Sequence, residues 1–369
     1  VPRPQTRDTG ANHAHFNVRG EHLNPWCTIP GGPFGDRLVL LPNRPEEPPP
    51  TIRYAHLDPS GVDAVTALFA SAANPPHDNR LAVRVAVETP AGETLGEHTR
   101  HLACGERAPI TVRFEPTRDP LRLAISATFA EFAGGPTYGS VRMRYLAAYA
   151  DNELMRMCNA AGSDKGSEVY WGEGAPHFYA LLYQPLLEPL RDQRFDLLEI
   201  GLDTASQHTG APADAPSLRV WREFFPYATL HGYDINDFSF LDLPGTRTFQ
   251  GDQSSPEDLD RFLHAHGHPR FALAIDDGSH VPAHQQASLA HLFEQVAPGG
   301  LYLIEDISWQ PFQQSPTTGE VLRRFVDDGR IESPFIPPEA ARRLEAAIQS
   351  VTIHRPNDSE VAVIRKRAS

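Results

Sequence analysis

From residue 195 to residue 306 short apolar runs alternate with longer stretches of helical spacing, and this alternation limits the possible folds more than any other feature. Extended runs over 195–201, 228–235, 247–252, 270–276 and 301–306 are separated by helical patterns that include 217–225, 256–266 and 283–296. Strands that alternate with helices of this length form a parallel sheet covered on both faces, so the pattern predicts a doubly wound α/β domain. Two further alternating runs, 350–355 and 360–365, flank Pro356, Asn357 and Asp358 and predict a closing antiparallel hairpin. No internal repeat or long low-complexity tract interrupts the order.

The sequence before this region has a different rhythm. The first 60 residues are rich in Pro, Gly, His and Asn, with apolar bursts such as 37–41 bounded by turn formers, so any strands there are short. From about Arg80, Leu81, Val83, Val85 and Val87 alternate with Ala82, Arg84, Ala86 and Glu88, and Pro90, Ala91 and Gly92 then supply a turn. Extended patterns follow over 109–115 and 121–132. Together these predict an antiparallel, sandwich-like β-rich domain. Near Tyr138 the period changes, and Leu and Met at helical spacing over 141–157 predict a helix joining the two parts. A chain of 369 residues exceeds one typical core, and the expected division is a β-rich auxiliary domain over 1–140 and an α/β domain over 141–369.

Several function classes are disfavoured. With 47 acidic against 33 basic residues and a formal charge of −14, a nucleic-acid surface held by phosphate contacts is not expected. Cys27, Cys104 and Cys158 are odd in number and far apart, which argues against a disulfide framework and a cysteine zinc site. No apolar stretch approaches about 18 residues and no charged-then-apolar leader opens the chain, so a cytoplasmic protein without a membrane association is expected. Lysine occurs only at Lys165 and Lys366 while Arg, Ala and Pro abound, a bias that points to a GC-rich genome.

In an open α/β sheet, ligands bind beyond the carboxyl ends of the strands, and here those ends are acidic. They carry Glu199 and Gly201, then Asp234, then Asp252 and Gln253, then Asp276, Asp277, Gly278, Ser279 and His280, then Glu305 and Asp306. Asp234, 33 residues beyond Gly201, is placed to accept both hydroxyls of a ribose, or else to cap a loop. No G-x-G-x-x-G follows the first strand, which disfavours a nicotinamide dinucleotide. Asp277 and His280 are three residues apart, and Glu305 and Asp306 end the neighbouring strand. Carboxylates converging in one pocket repel one another unless a cation compensates, so a Mg²⁺-type ion is the economical expectation. His280 could then take a proton from a substrate hydroxyl, the arrangement suited to group transfer to oxygen. The bland reading makes Asp277 and Ser279 an Asx-type turn and His280 a helix-start residue. His13, His15 and His22 read as solvated loop residues, and His284 and His291 as surface or packing groups. The turn at Gly162, Ser163, Asp164, Lys165, Gly166 and Ser167 either covers a cofactor carboxylate through Lys165 or is only a loop.

Taken in order, several motifs converge on one resemblance. They are Ser163-Asp164-Lys165-Gly166, His177-Phe178-Tyr179, Leu198-Glu199-Ile200-Gly201, Ser217-Leu218-Arg219-Val220-Trp221, Phe224-Phe225-Pro226, Gly232-Tyr233-Asp234-Ile235 and Gly251-Asp252-Gln253. Ile275 to His280 and the run from Pro298 through Gly299, Gly300 and Leu301 to Asp306 complete the set. This order resembles the S-adenosylmethionine- and metal-dependent sugar O-methyltransferases of macrolide antibiotic biosynthesis, the mycinamicin 2''-O-methyltransferase type, over roughly residues 158 to 310. The resemblance implies a class I, Rossmann-like methyltransferase sheet, with Mg²⁺ on Asp277, Glu305 and Asp306 and His280 as general base. For S-adenosylmethionine it implies Glu199 and Gly201 at the methionine portion, Ser217 on the same loop, Asp234 at the ribose, and Asp252 with Gln253 near the adenine. Asp276 is grouped with these cofactor contacts.

Two departures stand out: residues 203–216 hold a single glycine, Gly210, where the family is glycine-rich, and the first 140 residues show no match to the family. The expected activity is methyl transfer to a sugar hydroxyl of a glycosylated small molecule, and related enzymes suggest a homo-oligomer. A catechol-like phenol acceptor is the alternative enzyme reading, and a glycan-binding protein with a degenerate α/β domain is the non-enzymatic one.

Overall fold

The structure is a computed structural model. It describes residues 5–8, 18–21, 39–40, 47–73, 80–131, 139–169, 176–202, 213–309, 312–357 and 359–368. His13, His15, His22, Cys27 and Gly210 lie outside the described residues. The chain divides into two compact units, Val1–Asn152 with Ser167–Pro176, and Glu153–Gly166 with His177–Ser369.

The first unit contains strands β1 (Gln5–Asp8), β2 (Val18–Glu21), β3 (Val39–Leu40), β4 (Thr51–Leu57), β5 (Ala64–Ala73), β6 (Arg80–Glu88), β7 (Thr94–Leu102), β8 (Arg107–Arg113), β9 (Leu121–Glu131) and β10 (Gly139–Tyr149). They form two antiparallel sheets. One has the order β1-β10-β5-β8 with β3 also paired to β10, and the other the order β2-β4-β9-β6-β7. Alternation explains both, because each strand turns every second side chain inward. Val83, Val85 and Val87 of β6 and Leu123, Ile125 and Ala127 of β9 meet Val65, Ala67 and Phe69 of β5 and Ile110 and Val112 of β8 in one buried cluster. Gly92, with φ +92°, closes the turn between β6 and β7, where Thr89 N donates to Glu93 O.

The helix expected over 141–157 is corrected here. Residues up to Tyr149 are strand β10, paired along its length with β5, and a helix begins only at Glu153. Val141, Met143, Tyr145 and Ala147 are buried while Arg142 is exposed and Arg144 and Leu146 are half-buried, a period of two that the Leu and Met spacing disguised. The first unit accordingly runs to Asn152 and not to Ser140.

The second unit contains helices α1 (Glu153–Ala161), α2 (Tyr179–Leu187), α3 (Pro216–Phe224), α4 (Pro256–Ala265), α5 (Pro282–Leu292), α6 (Thr318–Asp328) and α7 (Pro338–Ala347). Its strands are β11 (Asp196–Ile200), β12 (Thr229–Asp234), β13 (Thr246–Gln250), β14 (Phe271–Asp276), β15 (Val296–Ile304), β16 (Ile348–His354) and β17 (Val361–Lys366). The sheet order is β13-β12-β11-β14-β15-β17-β16. The first five strands are parallel, and the β16–β17 hairpin closes the edge antiparallel to β15. The order reverses at β11, where one crossover leads to β12 and the next departure to β14, so a ligand crevice is expected beyond the ends of these strands.

Local chemistry fixes the helix starts. α3, α4, α5 and α7 each begin with proline, whose missing N–H costs nothing in the first turn. Thr317 and Glu320 make a capping box at the head of α6, and Gly329 in the left-handed region ends it. Leu218, Val220, Trp221 and Phe224 form the buried side of α3, and the sheet core is filled by residues such as Leu198, Ala274, Tyr302 and Ile364. Among the described residues, no helix is long and apolar enough to cross a membrane.

Candidate active site

The acids expected at the strand ends fall into three groups. At the end of β11, Gly201 takes φ +83°, and a Cβ there would lie 2.0 Å from the Asp277 carbonyl oxygen. Only glycine permits that approach, and it lets the chain after β11 pass directly beside the chain after β14. Asp277 N donates to Ile200 O, which ties the two ends together.

The first group is Asp277, His280 and Asp306. His280 Nε2 lies 3.9 Å from Asp277 Oδ1 and 3.8 Å from Asp306 Oδ2, too far for direct hydrogen bonds and close enough to share a small ligand. One donor atom from each of the three lies within 4.8 Å of the others. A hard divalent cation binds oxygen at about 2.0–2.6 Å, so atoms sharing one ion sit roughly 3–4 Å apart, and small side-chain adjustments would satisfy that. Both His280 and Asp306 take left-handed backbone angles, φ +56° and +54°. Such angles cost of order 1–3 kcal/mol each for non-glycine residues and persist where the surroundings impose them. Tyr179 OH donates to Asp306 Oδ1 at 3.0 Å and Ser359 Oγ donates to the same oxygen, leaving Oδ2 toward His280. Burial works against ionisation of Asp306, but His280, His177 and these hydroxyls outweigh it and hold the carboxyl below its usual range.

The second group is built around Lys165, 1% exposed. Its ammonium donates to Asp277 Oδ2 and to Glu305 Oε2, the latter at 3.0 Å, and stands 3.9 Å from Glu199 Oε1. Tyr183 OH donates to the other oxygen of Glu305 at 2.6 Å. Burial alone would lower the lysine, yet Asp277, Glu305 and Glu199 outweigh it and hold the ammonium well above its ordinary value. Burial, then the charge of Asp277, pushes Glu305 well above the usual carboxylate range against the pull of Lys165, and desolvation raises Asp277 in the same way. Neither sequence reading of the Lys165 turn anticipated this pairing. The partner acids are 34, 112 and 140 residues away, a separation no local pattern reports.

The third group lines the β11–β12 side. Glu199, fully buried at the end of β11, accepts from Ser217 Oγ at 2.9 Å and Trp221 Nε1 at 3.0 Å, and burial pushes it up to about 7 against Lys165. Asp234 accepts from Leu202 N at 2.8 Å and Asn236 N at 2.7 Å, so it holds the two loops in register. Asp252 accepts from Ser254 N and Oγ through Oδ1. Gln253 and Asp276 belong to an interior network. Gln253 Nε2 donates to Asp276 Oδ1 at 2.6 Å, its Oε1 accepts from Ser279 N, and Ser288 Oγ donates to Asp276 Oδ2 at 2.6 Å. Asp276 is fully buried there, and burial pushes it up to about 6. The structure thus brings Asp277, Asp306 and His280 together, sets Glu305 behind them on Lys165 and Tyr183, and gives Asp276 and Gln253 the part of bracing the His280 turn from behind. His284 and His291 bond Ser279 and Asp260.

The fold and the site together define a doubly wound α/β domain with a histidine and a carboxylate cluster beyond its strand ends. In sequence, this chain is similar to curated sugar O-methyltransferases of macrolide and tetracenomycin biosynthesis. Mycinamicin VI 2''-O-methyltransferase of Micromonospora griseorubida is 41% identical over 134 residues, 36% of this chain and 32% of that enzyme. The 8-demethyl-8-alpha-L-rhamnosyl tetracenomycin-C 2'-O-methyltransferase of Streptomyces olivaceus is 32% identical over 246 residues, 63% of this chain and 60% of that enzyme. A solved structure of the MycE methyltransferase from the mycinamycin pathway with Mg, SAH and mycinamycin VI aligns with a TM-score of 0.47 at 30% identity, covering 59% of this chain and 55% of that one. The chain thus spans less than two thirds of the length of each of these relatives. No protein-family model matches it.

Proposed function

We propose that this chain is a class I O-methyltransferase that moves the methyl group of S-adenosylmethionine to a sugar hydroxyl of a glycosylated secondary metabolite. The observation that carries the reading is the meeting of Asp277, His280 and Asp306 at the carboxyl ends of β14 and β15. The sequence similarity to sugar O-methyltransferases supports it.

The sulfonium cofactor supplies an electrophilic methyl group. Glu199 and Gly201 serve its methionine portion, with Ser217 holding Glu199 in place, while Asp234 serves the ribose and Asp252 with Gln253 the adenine side. Asp277 and Asp306, with Glu305 beside them, are the residues that would hold Mg²⁺. Such an ion would supply positive charge that lowers the pKa of a nearby hydroxyl. His280 Nε2 takes the hydroxyl proton, and the imidazolium so formed lies between two carboxylates at 3.9 and 3.8 Å that stabilise it. Lys165 offsets the repulsion among the acids behind this pair, and the left-handed turns at His280 and Asp306 fix the base before the acceptor arrives. Held in line, the acceptor oxygen gains most from positioning. The N-terminal β-sheets form, on this reading, a sandwich-like auxiliary domain.

A mass-spectrometric acceptor screen tests the proposal. The protein is incubated with S-adenosylmethionine and Mg²⁺, or with chelator, and with rhamnosylated polyketides, their aglycones and catechol. Methylation of glycosides alone, lost on chelation, is the expected result. Methylation of catechol alone would move the acceptor class to phenols.

A further inference from the structure

Trp309 stands where the proposed chemistry leaves the acceptor undescribed. It lies three residues beyond Asp306 and its N–H donates to the Asp306 carbonyl at 3.0 Å, closing the turn that the left-handed φ of Asp306 begins. Ile307 between them is buried and anchored, its N–H donating to Glu360 O and its carbonyl accepting from Gly319 N. The indole is therefore held on a braced turn, yet it is 55% exposed. Its ring centre is 5.5 Å from that of His280, with the planes at 66°. Phe312, three residues on, is 71% exposed.

An indole offers a large, rigid apolar face with a defined orientation, and here that face is open to solvent beside a proton-accepting group. The chemistry on its two sides narrows the occupant. One side offers His280 Nε2 and the oxygens of Asp277 and Asp306, which match hydroxyl groups. The other offers a flat apolar face, which matches C–H groups. A pyranose ring carries both, with hydroxyls around its rim and C–H bonds on its faces. A ring lying flat on the indole is inclined by 66° to the imidazole plane and lies beside it.

We propose that Trp309 is the acceptor platform, a specificity-determining residue on which the sugar stacks so that one rim hydroxyl meets His280. This rests on the methyl-transfer reading above and adds to it the surface that recognises the acceptor. Stacking contributes to acceptor affinity and leaves cofactor contacts untouched, so the two sites separate on mutation.

The test uses the full chain with Mg²⁺ and S-adenosylhomocysteine present, and methyl α-L-rhamnopyranoside as the probe. Saturable quenching of tryptophan fluorescence by the rhamnoside is expected in the wild type and is expected to vanish in Trp309→Phe. Calorimetry is expected to show rhamnoside affinity about tenfold weaker in Trp309→Ala and near wild type in Trp309→Phe. S-adenosylhomocysteine affinity stays the same in all three proteins. Quenching that persists in Trp309→Phe, or an unchanged affinity in Trp309→Ala, would overturn the platform. Saturation by catechol with no response to the rhamnoside would overturn it as a sugar site. Rhamnoside binding that depends on Trp309 in a protein that fails to bind S-adenosylhomocysteine would sustain the platform and sink the methyltransferase reading instead.

Discussion

Replacing Lys165 with Met keeps the length of the buried stem and removes the charge that faces Glu199, Asp277 and Glu305. Glu199 and Glu305 are almost wholly shielded from water, and an unpaired carboxylate there takes up a proton in preference to remaining charged. The cost of that protonation has a ceiling set by pH. Burial already raises Glu199 to about 7 with Lys165 in place, so carrying it from there to full neutrality costs at most about 1.4 kcal/mol at pH 8 and nothing at pH 5, where it is protonated in both proteins. For a unit of about 200 residues that lowers the melting temperature by roughly 3–6 °C at pH 8 and leaves it unchanged at pH 5. Thermal melts of both proteins at the two pH values, without divalent ions, read this directly. Equal losses at pH 5 and pH 8, or no loss at pH 8, would refute the electrostatic role assigned to Lys165.

Three other perturbations follow from the same geometry. Gly201→Ala forces a Cβ against the Asp277 carbonyl and places an L-residue at φ +83°. It should destabilise the protein by about 2–4 kcal/mol, measured by urea unfolding, and it should cut methyl transfer by displacing Asp277. His280→Gln should lower methyl transfer by about 10²–10⁴ with little change in S-adenosylhomocysteine affinity, and unchanged turnover would reject His280 as the base. Asp276 is raised from 3.8 to about 6 by burial, so the native state binds more protons than the unfolded chain between those values. That group's stabilisation is fully present below about pH 4 and falls away as pH rises through 6. The stability of wild type relative to Asp276→Asn should therefore decline across this window and level off above pH 7. A flat difference across the window would contradict the shift.

Much of the second unit is legible in the sequence because parallel strands buried on both faces read as apolar runs, and prolines mark four of the helix starts. The runs at Leu197, Leu230 and Leu273 locate their strands to within a residue or two, and the acids beyond them announce the site. Strand β10 was illegible for the opposite reason. Leu146 and Met143 fit a helical period, and the pairing with β5 that overrides it is a long-range fact. The same holds within the site. Asp277, Glu305, Asp306 and His280 are visible because each follows within a few residues of a strand's end. Lys165, Tyr179 and Tyr183 enter from a loop and a helix more than 90 residues upstream, and only the folded chain brings their ammonium and hydroxyls onto those carboxylates. Asp276 and Asp277 are adjacent in sequence yet differ in environment, because successive residues at a strand end face opposite ways: one turns into the interior under Ser288, the other toward His280.

The central claim, a cofactor pocket beside an ion-binding acid cluster, is tested most directly by calorimetric titration of S-adenosylhomocysteine into the protein, with Mg²⁺ and then with chelator. The account predicts saturable binding in both conditions, with Mg²⁺ required for methyl transfer from S-adenosylmethionine. Absence of binding in both would contradict it, since Glu199, Gly201 and Asp234 would then have no cofactor to hold.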